Sequence, residues 1–181
     1  MNPRSLSQSD LSILIFESAA RHGLPTWLVR AIVSVESGGN PWAWNPEPAY
    51  RYLWDVRAQK PFRRLTHIEA TVKTPPPDFP AIAGDRDQEW WAQQASWGLM
   101  QVMGAVAREL GFTGPYLTEL CDPLLNLELG CLHLSLLRDR YLARWGWPGV
   151  IAAYNAGTPR VLVDGRFSNQ DYVDKIYKKK E

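Results

Sequence analysis

Thr26-Trp27-Leu28-Val29-Arg30-Ala31-Ile32-Val33-Ser34-Val35-Glu36-Ser37 is the stretch on which the fold turns. Trp27, Leu28, Val29, Ala31, Ile32, Val33 and Val35 occupy nearly every side of a 3.6-residue helix, so the segment predicts a central, buried helix. Gly38-Gly39-Asn40-Pro41 stops it, because glycine supplies the left-handed backbone that closes a helix and proline cannot continue one. One residue is out of place on such a helix. Glu36 follows Val33, Ile32 and Val29 at i−3, i−4 and i−7, so its carboxyl is directed to the apolar side. Burial disfavours the charged form, and the partial negative charge of a helix C-terminus opposes it as well. Both effects keep a proton on Glu36, as a general acid requires. A carboxylate that accepts hydrogen bonds from the amides of the following loop fits the same position, and the spacing alone suits either role.

Outward from this helix the chain is mostly helical, with no sustained period-2 alternation that would demand a sheet. A first helix is predicted from about Ser9 to His22, ending at Gly23, with Leu11, Leu14, Ile15, Ser18 and Ala19 on one face. A helix is predicted from Gly98, where Leu99, Met103, Val106 and Leu110 form a stripe that Gly111 closes. A long helix comes next, from Pro123 to about Trp145, with a Leu125, Leu129, Leu132, Leu136 stripe, stopped by Gly146. A short one runs from Gly149 to Ala156. The last starts at Ser168, with Asp171 three residues on as a capping-box partner. Between about 46 and 96 the pattern is irregular. Thr74-Pro75-Pro76-Pro77-Asp78-Phe79-Pro80 excludes helix and central strand, so this insertion is expected to hold a short helix or two and to serve as a cleft wall or lid.

The chain has 181 residues, enough for one substantial core, and is expected to be a single domain over 1–181. Lys plus Arg number 20 against 19 Asp plus Glu, a net charge of +1 that gives no electrostatic reason to expect nucleic acid. The Lys175, Lys178, Lys179, Lys180 cluster reads as a solvated tail. Met1–Asp10 is polar and Leu11–Phe16 is too short for a secretory core, so no signal peptide is expected, and no apolar run is long enough to insert into a membrane. Cys121 and Cys131, ten residues apart on a helical stretch, are expected to be free thiols. His22, His67 and His133 have no metal-ligand spacing, and no phosphate-binding or nucleophile-elbow fingerprint occurs. Nine Trp offer flat apolar faces that suit a core or the C–H faces of sugars.

Glu36-Ser37-Gly38-Gly39-Asn40-Pro41, Gly98-Leu99-Met100-Gln101-Val102-Met103 and Ala153-Tyr154-Asn155-Ala156-Gly157 occur in that order, and Trp42, Trp44 and Trp97 flank the first two. Together the three segments resemble the three motifs of soluble lytic transglycosylase domains, family 23 of the glycoside hydrolases, and phage-encoded members most in their long insertion. The resemblance implies an all-α, lysozyme-like fold of the goose-type/SLT architecture. It implies cleavage of the β-1,4 bond between N-acetylmuramic acid and N-acetylglucosamine with no metal or cofactor, leaving 1,6-anhydromuramic ends. Carried over by position, Glu36 matches the single catalytic acid/base. Met100 and Gln101 match the cleft floor, Gln101 making polar contacts to sugar. Tyr154 and Asn155 match the motif facing the acid, where the tyrosine hydroxyl can orient the carboxyl, and Tyr172 resembles a cleft tyrosine of the final helix. Nine residues after the acid the family commonly has a serine, and here stands Asn45. Glu47 is a further candidate as an electrostatic helper, since ordinary glycosidases place a second carboxylate across the bond.

The partners implied are peptidoglycan glycan strands, with the protein a monomer carried to the cell wall by a phage particle or lysis system. Two rivals remain open on the sequence: a goose-type lysozyme-like hydrolase, in which water replaces the 6-hydroxyl, and a non-catalytic peptidoglycan-binding virion component.

Overall fold

The computed structural model describes residues 6–180, so the first five residues of the polar stretch Met1–Asp10 lie outside the described residues. In chain order the elements are α1 (Gln8–Arg21), α2 (Thr26–Glu36), β1 (Trp44–Pro46), β2 (Trp54–Asp55), β3 (Lys60–Pro61), α3 (Arg86–Gln93), β4 (Ala95–Trp97), β5 (Val102–Met103), α4 (Gly104–Glu109), a 3-10 turn (Leu117–Cys121), α5 (Pro123–Ala156) and α6 (Gln170–Tyr177). The contacts group into two compact units. A helical unit joins the chain up to Gly39 with the chain from Gly130 onward, and a strand-bearing unit spans Asn40–Leu129.

In the helical unit, α1 begins where the Ser7 hydroxyl accepts the Asp10 amide at 3.1 Å, and it buries Leu11, Ile15, Ser18 and Ala19. It packs on α2, which buries Leu28, Val29, Ala31, Ile32 and Val33 and leaves Arg30 and Ser34 exposed. Each such aliphatic side chain contributes about 1.5–3 kcal/mol when fully buried, so α2 is the unit's main anchor. The long helix α5 breaks where expected, at Gly146, whose φ of 61° and ψ of −170° are not helical. Its inward face is not the predicted leucine stripe. Of the four, Leu136 is exposed, Leu125 and Leu132 are half-buried and Leu129 is buried, together with Leu127, Cys131, Leu134 and Leu137. Leucine recurs on all sides of this helix, so the buried face is marked as much by the small or polar residues Asn126, Gly130 and Cys131 as by leucine. At α6 the expected capping box from Ser168 is replaced: Asn169 is the N-cap residue, and the helix buries Val173 and Ile176 beside α2.

The strand-bearing unit holds two small sheets that the sequence reading missed, because strands of two or three residues are too short to show a period. β1, β4 and β5 form an antiparallel sheet with Trp44 opposite Trp97 and Asn45 opposite Ser96, and β2 pairs with β3. The helix predicted from Gly98 starts only at Gly104. Gly98 (φ +70°) and Gln101 (φ +50°) are both left-handed, which turns the chain between β4 and β5 instead of continuing a helix. No side chain fits at Gly98, where a Cβ would lie 2.4 Å from Asn126 Nδ2 and 2.6 Å from the Leu120 carbonyl. The buried face of α4 is accordingly Gly104, Ala105, Ala107 and Arg108, with Val106 and Leu110 only half-buried. The 46–96 segment has a core of its own. Leu53, Phe79 and Trp90 are buried, and Phe79 meets Phe62 and Trp90 edge-on at 5.0 Å each.

Candidate active site

Glu36 closes α2, and its carboxyl accepts a hydrogen bond from the Tyr172 hydroxyl on α6. Burial raises the Glu36 pKa above the usual carboxylate value, and the Tyr172 bond pulls it partly back. A neutral donor therefore holds the group without supplying a fixed positive charge. Tyr172 keeps its own proton firmly, because burial and the neighbouring Glu36 both disfavour a phenolate. Tyr154, on the last turns of α5, is held protonated by burial first and by Glu36 second, so it stands within electrostatic reach of the same carboxyl. His133 lies against the Tyr154 ring, 5.6 Å between centroids, and burial lowers its pKa to about 4, which makes it a neutral neighbour at pH 7. Asn155 is exposed, and its Oδ1 accepts from Asn169 Nδ2 at 2.9 Å. The helical unit thus gathers Glu36, Tyr172 and Tyr154. Tyr172 on the final helix donates to Glu36, and Tyr154 stands in the electrostatic field of the same carboxyl.

Asn45, Glu47, Met100 and Gln101 belong to the strand-bearing unit. Asn45 Nδ2 donates to Glu47 Oε1 at 2.5 Å, both residues exposed. Gln101 is occupied by its own turn. Its Oε1 accepts from Ser96 Oγ at 2.9 Å, and its Nε2 donates to the carbonyls of Gly98 at 2.9 Å and Ala43 at 3.2 Å. These bonds hold a non-glycine residue in the left-handed region, a conformation that costs about 1–2 kcal/mol. The Met100 side chain is fully buried. Trp42 and Trp44 are 65% and 57% exposed, while Trp97 is buried and donates to the Ala92 carbonyl at 3.0 Å. The sequence reading missed Asn126, which is fully buried. It accepts the Met100 amide at 2.8 Å and donates to the carbonyls of Trp97 and Leu120 at 2.8 and 2.9 Å, fixing the turn that carries Gln101. An amide placed among leucines was its signal.

Among the described residues, no group of three or more His, Cys, Asp or Glu is gathered as a metal ion would need, and no helix is long and apolar enough to cross a membrane. No solved structure matches the chain significantly. Curated relatives include the membrane-bound lytic murein transglycosylase C of Actinobacillus pleuropneumoniae serotype 5b (strain L20) and of serotype 3 (strain JL03). Each is 37% identical over 90 residues, covering 44% of this chain and 25% of the relative. The chain thus matches only about a quarter of the length of these relatives. The family profile described as Transglycosylase SLT domain matches residues 13–175. With that match running through both units, the chain belongs to the transglycosylase SLT domain family, and its mainly helical architecture is the family's lysozyme-like fold.

Proposed function

We propose that this protein is a peptidoglycan lytic transglycosylase that cleaves the β-1,4 bond between N-acetylmuramic acid and N-acetylglucosamine. The observation that carries the reading is the Glu36 carboxyl, whose affinity for a proton is raised by burial and which accepts a hydrogen bond from a phenol. In the proposed reaction Glu36 gives its proton to the glycosidic oxygen as the C1–O bond breaks. The ionised Glu36 then takes the proton of the muramyl 6-hydroxyl as that oxygen bonds to C1. The proton is returned, no water is consumed, and a 1,6-anhydro ring is left. The substrate's own acetamido group shields the developing positive charge, so no second carboxylate is required. Glu47, exposed and bonded to Asn45, has the part of an electrostatic helper at most.

Membership of the family and the murein transglycosylase name of the relatives support this reading. Asn45, Met100, Gln101, Tyr154, Asn155 and Tyr172 are proposed as substrate-binding by their motif positions. The exposed indoles of Trp42 and Trp44 offer further faces to sugar rings. The proposed site of action is the bacterial cell wall, reached through a phage particle or lysis system, with the protein a monomer that needs no cofactor. Mass spectrometry of muropeptides released from purified sacculi tests the proposal. Products one water lighter than hydrolysis products, per cut, are expected. Products of full hydrolytic mass would make the protein a goose-type hydrolase, and binding to sacculi with no release would make it a wall-binding component.

A further inference from the structure

Tyr172 reaches Glu36 from α6, a helix of eight residues that buries Val173 and Ile176. The seat of so short a helix depends on how its first turn is held. That turn begins at Asn169, whose carbonyl accepts the Tyr172 amide at 3.0 Å and the Val173 amide at 3.4 Å. An asparagine at this position ordinarily turns its Oδ1 back to accept a first-turn amide. Here the side chain makes no such cap. It reaches outward to the end of α5, where Nδ2 donates to the Ala152 carbonyl at 3.0 Å and to Asn155 Oδ1 at 2.9 Å. Its Oδ1 is left buried without a partner. Forgoing the cap and burying an unsatisfied acceptor are both unfavourable for stability, so what this conformation secures is the link between the two helices. Those helices carry the two phenols around Glu36: Tyr172 on α6, and Tyr154 two residues beyond Ala152 on α5.

We infer that Asn169 is a positioning residue: it pins the start of α6 to the end of α5, so that the Tyr172 hydroxyl stays on the Glu36 carboxyl with Tyr154 beside it. The inference rests on the acid role proposed for Glu36. Among the described residues, the titratable groups that act on that carboxyl are the phenols of Tyr172 and Tyr154, with Cys131 and His133 acting on or lying against Tyr154 and Arg140 acting on His133. None of these is changed by substituting Asn169, so an altered Glu36 titration reports a moved phenol.

The test is a carboxyl titration of the intact protein labelled with 13C-glutamate and followed by NMR, with Glu36→Gln identifying the signal. Asn169→Ala is expected to move the Glu36 titration upward, in the direction of Tyr172→Phe, because the phenol's hydrogen bond is what draws it down. In the Tyr172→Phe background the same substitution is expected to add nothing, as for two residues acting through one contact. Turnover on sacculi is expected to fall by roughly one to two orders of magnitude, with KM changed by less than about twofold, since a misplaced group slows the step more than it weakens binding. Should Asn169→Ala fail to fold, Asn169→Ser, which can cap α6 but is too short to span to Asn155, is expected to give a stable protein with the same upward shift. A Glu36 titration unchanged by these variants, or a shift that adds in full to that of Tyr172→Phe, overturns the inference. Wall cleavage retained by Glu36→Gln would instead remove the acid reading and leave the pin between helices standing, because the titration is read without turnover.

Discussion

Glu36 in the helical unit and Glu89 in the strand-bearing unit are both withdrawn from water, and they differ in what meets them. Glu89 faces a cation: its Oε1 accepts from Arg108 Nε at 2.8 Å and Gln93 Nε2 at 2.9 Å, and its Oε2 from Arg108 Nη2 at 2.7 Å. Arg108 has further partners, giving Nη1 to the carbonyls of Phe112 and Gly114 at 2.9 and 2.7 Å and resting its guanidinium over the Phe112 ring. That is a fixed ion pair with its donors and acceptors matched, and it ties α3 to α4. Glu36 faces a neutral phenol. Burial raises the proton affinity of any carboxyl, but the partner decides whether the charged form is fixed or the proton can come and go. Glu89 is gripped at both oxygens by a guanidinium, whereas Glu36 is met by a group that brings no charge of its own. The same residue type is thus a brace in one unit and a candidate acid in the other.

The sharpest way to break this comparison is to remove the charge from each glutamate in turn. Glu36→Gln keeps the shape and a hydrogen-bonding oxygen for Tyr172 but has no proton to deliver, so peptidoglycan cleavage is expected to fall by roughly 10²- to 10⁴-fold while the far-UV circular dichroism is unchanged. Residual turnover near the parent's, assayed as soluble muropeptide per hour, would return Glu36 to the role of a loop-capping carboxylate. Glu89→Gln should do the reverse. It strands the buried Arg108, whose side chain is 1% exposed, and breaking a buried pair on one side costs about 3–5 kcal/mol. Urea unfolding reads that loss directly. An unaltered midpoint would mean that the pair contributes nothing beyond its volume.

The helices that carry these two glutamates are unequally legible in the sequence. α2 is visible because a run of apolar side chains long enough to show helical period ends in Gly38-Gly39-Asn40-Pro41, and both signals are local. Glu36 stands out for the same reason, as a charge on an oily face. The reach of Tyr172 to Glu36 leaves no local trace, because it comes from α6 packing on α2 with 136 positions between the partners. The Glu89–Arg108 pair leaves no such trace. Its two members lie 19 positions apart on two short helices, one of which begins only after the left-handed turn at Gly98 and Gln101. The expected stripe through Met103, Val106 and Leu110 fails there because Gly104 is packed against the Ala92 carbonyl, where a Cβ would come within 2.1 Å. Long-range contact overrides period, as it does on the leucine-rich α5.

The smallest effect is the most specific to the comparison, and it concerns stability against pH. In the unfolded chain Glu36 titrates near its ordinary 4.5, while burial raises its pKa in the folded protein. Below the unfolded value both states hold the proton and the group is neutral to folding. Above it the unfolded chain releases the proton first, so the folded state is progressively disfavoured until its own carboxyl ionises. The contribution of Glu36 is therefore greatest at acid pH and is lost as pH rises through the folded pKa. Glu36→Gln has no such loss. Its Tm relative to the parent is expected to climb as the pH is raised from about 4, by calorimetry at constant ionic strength. A difference that stays flat as pH rises would mean that the carboxyl is no more desolvated in the fold than out of it.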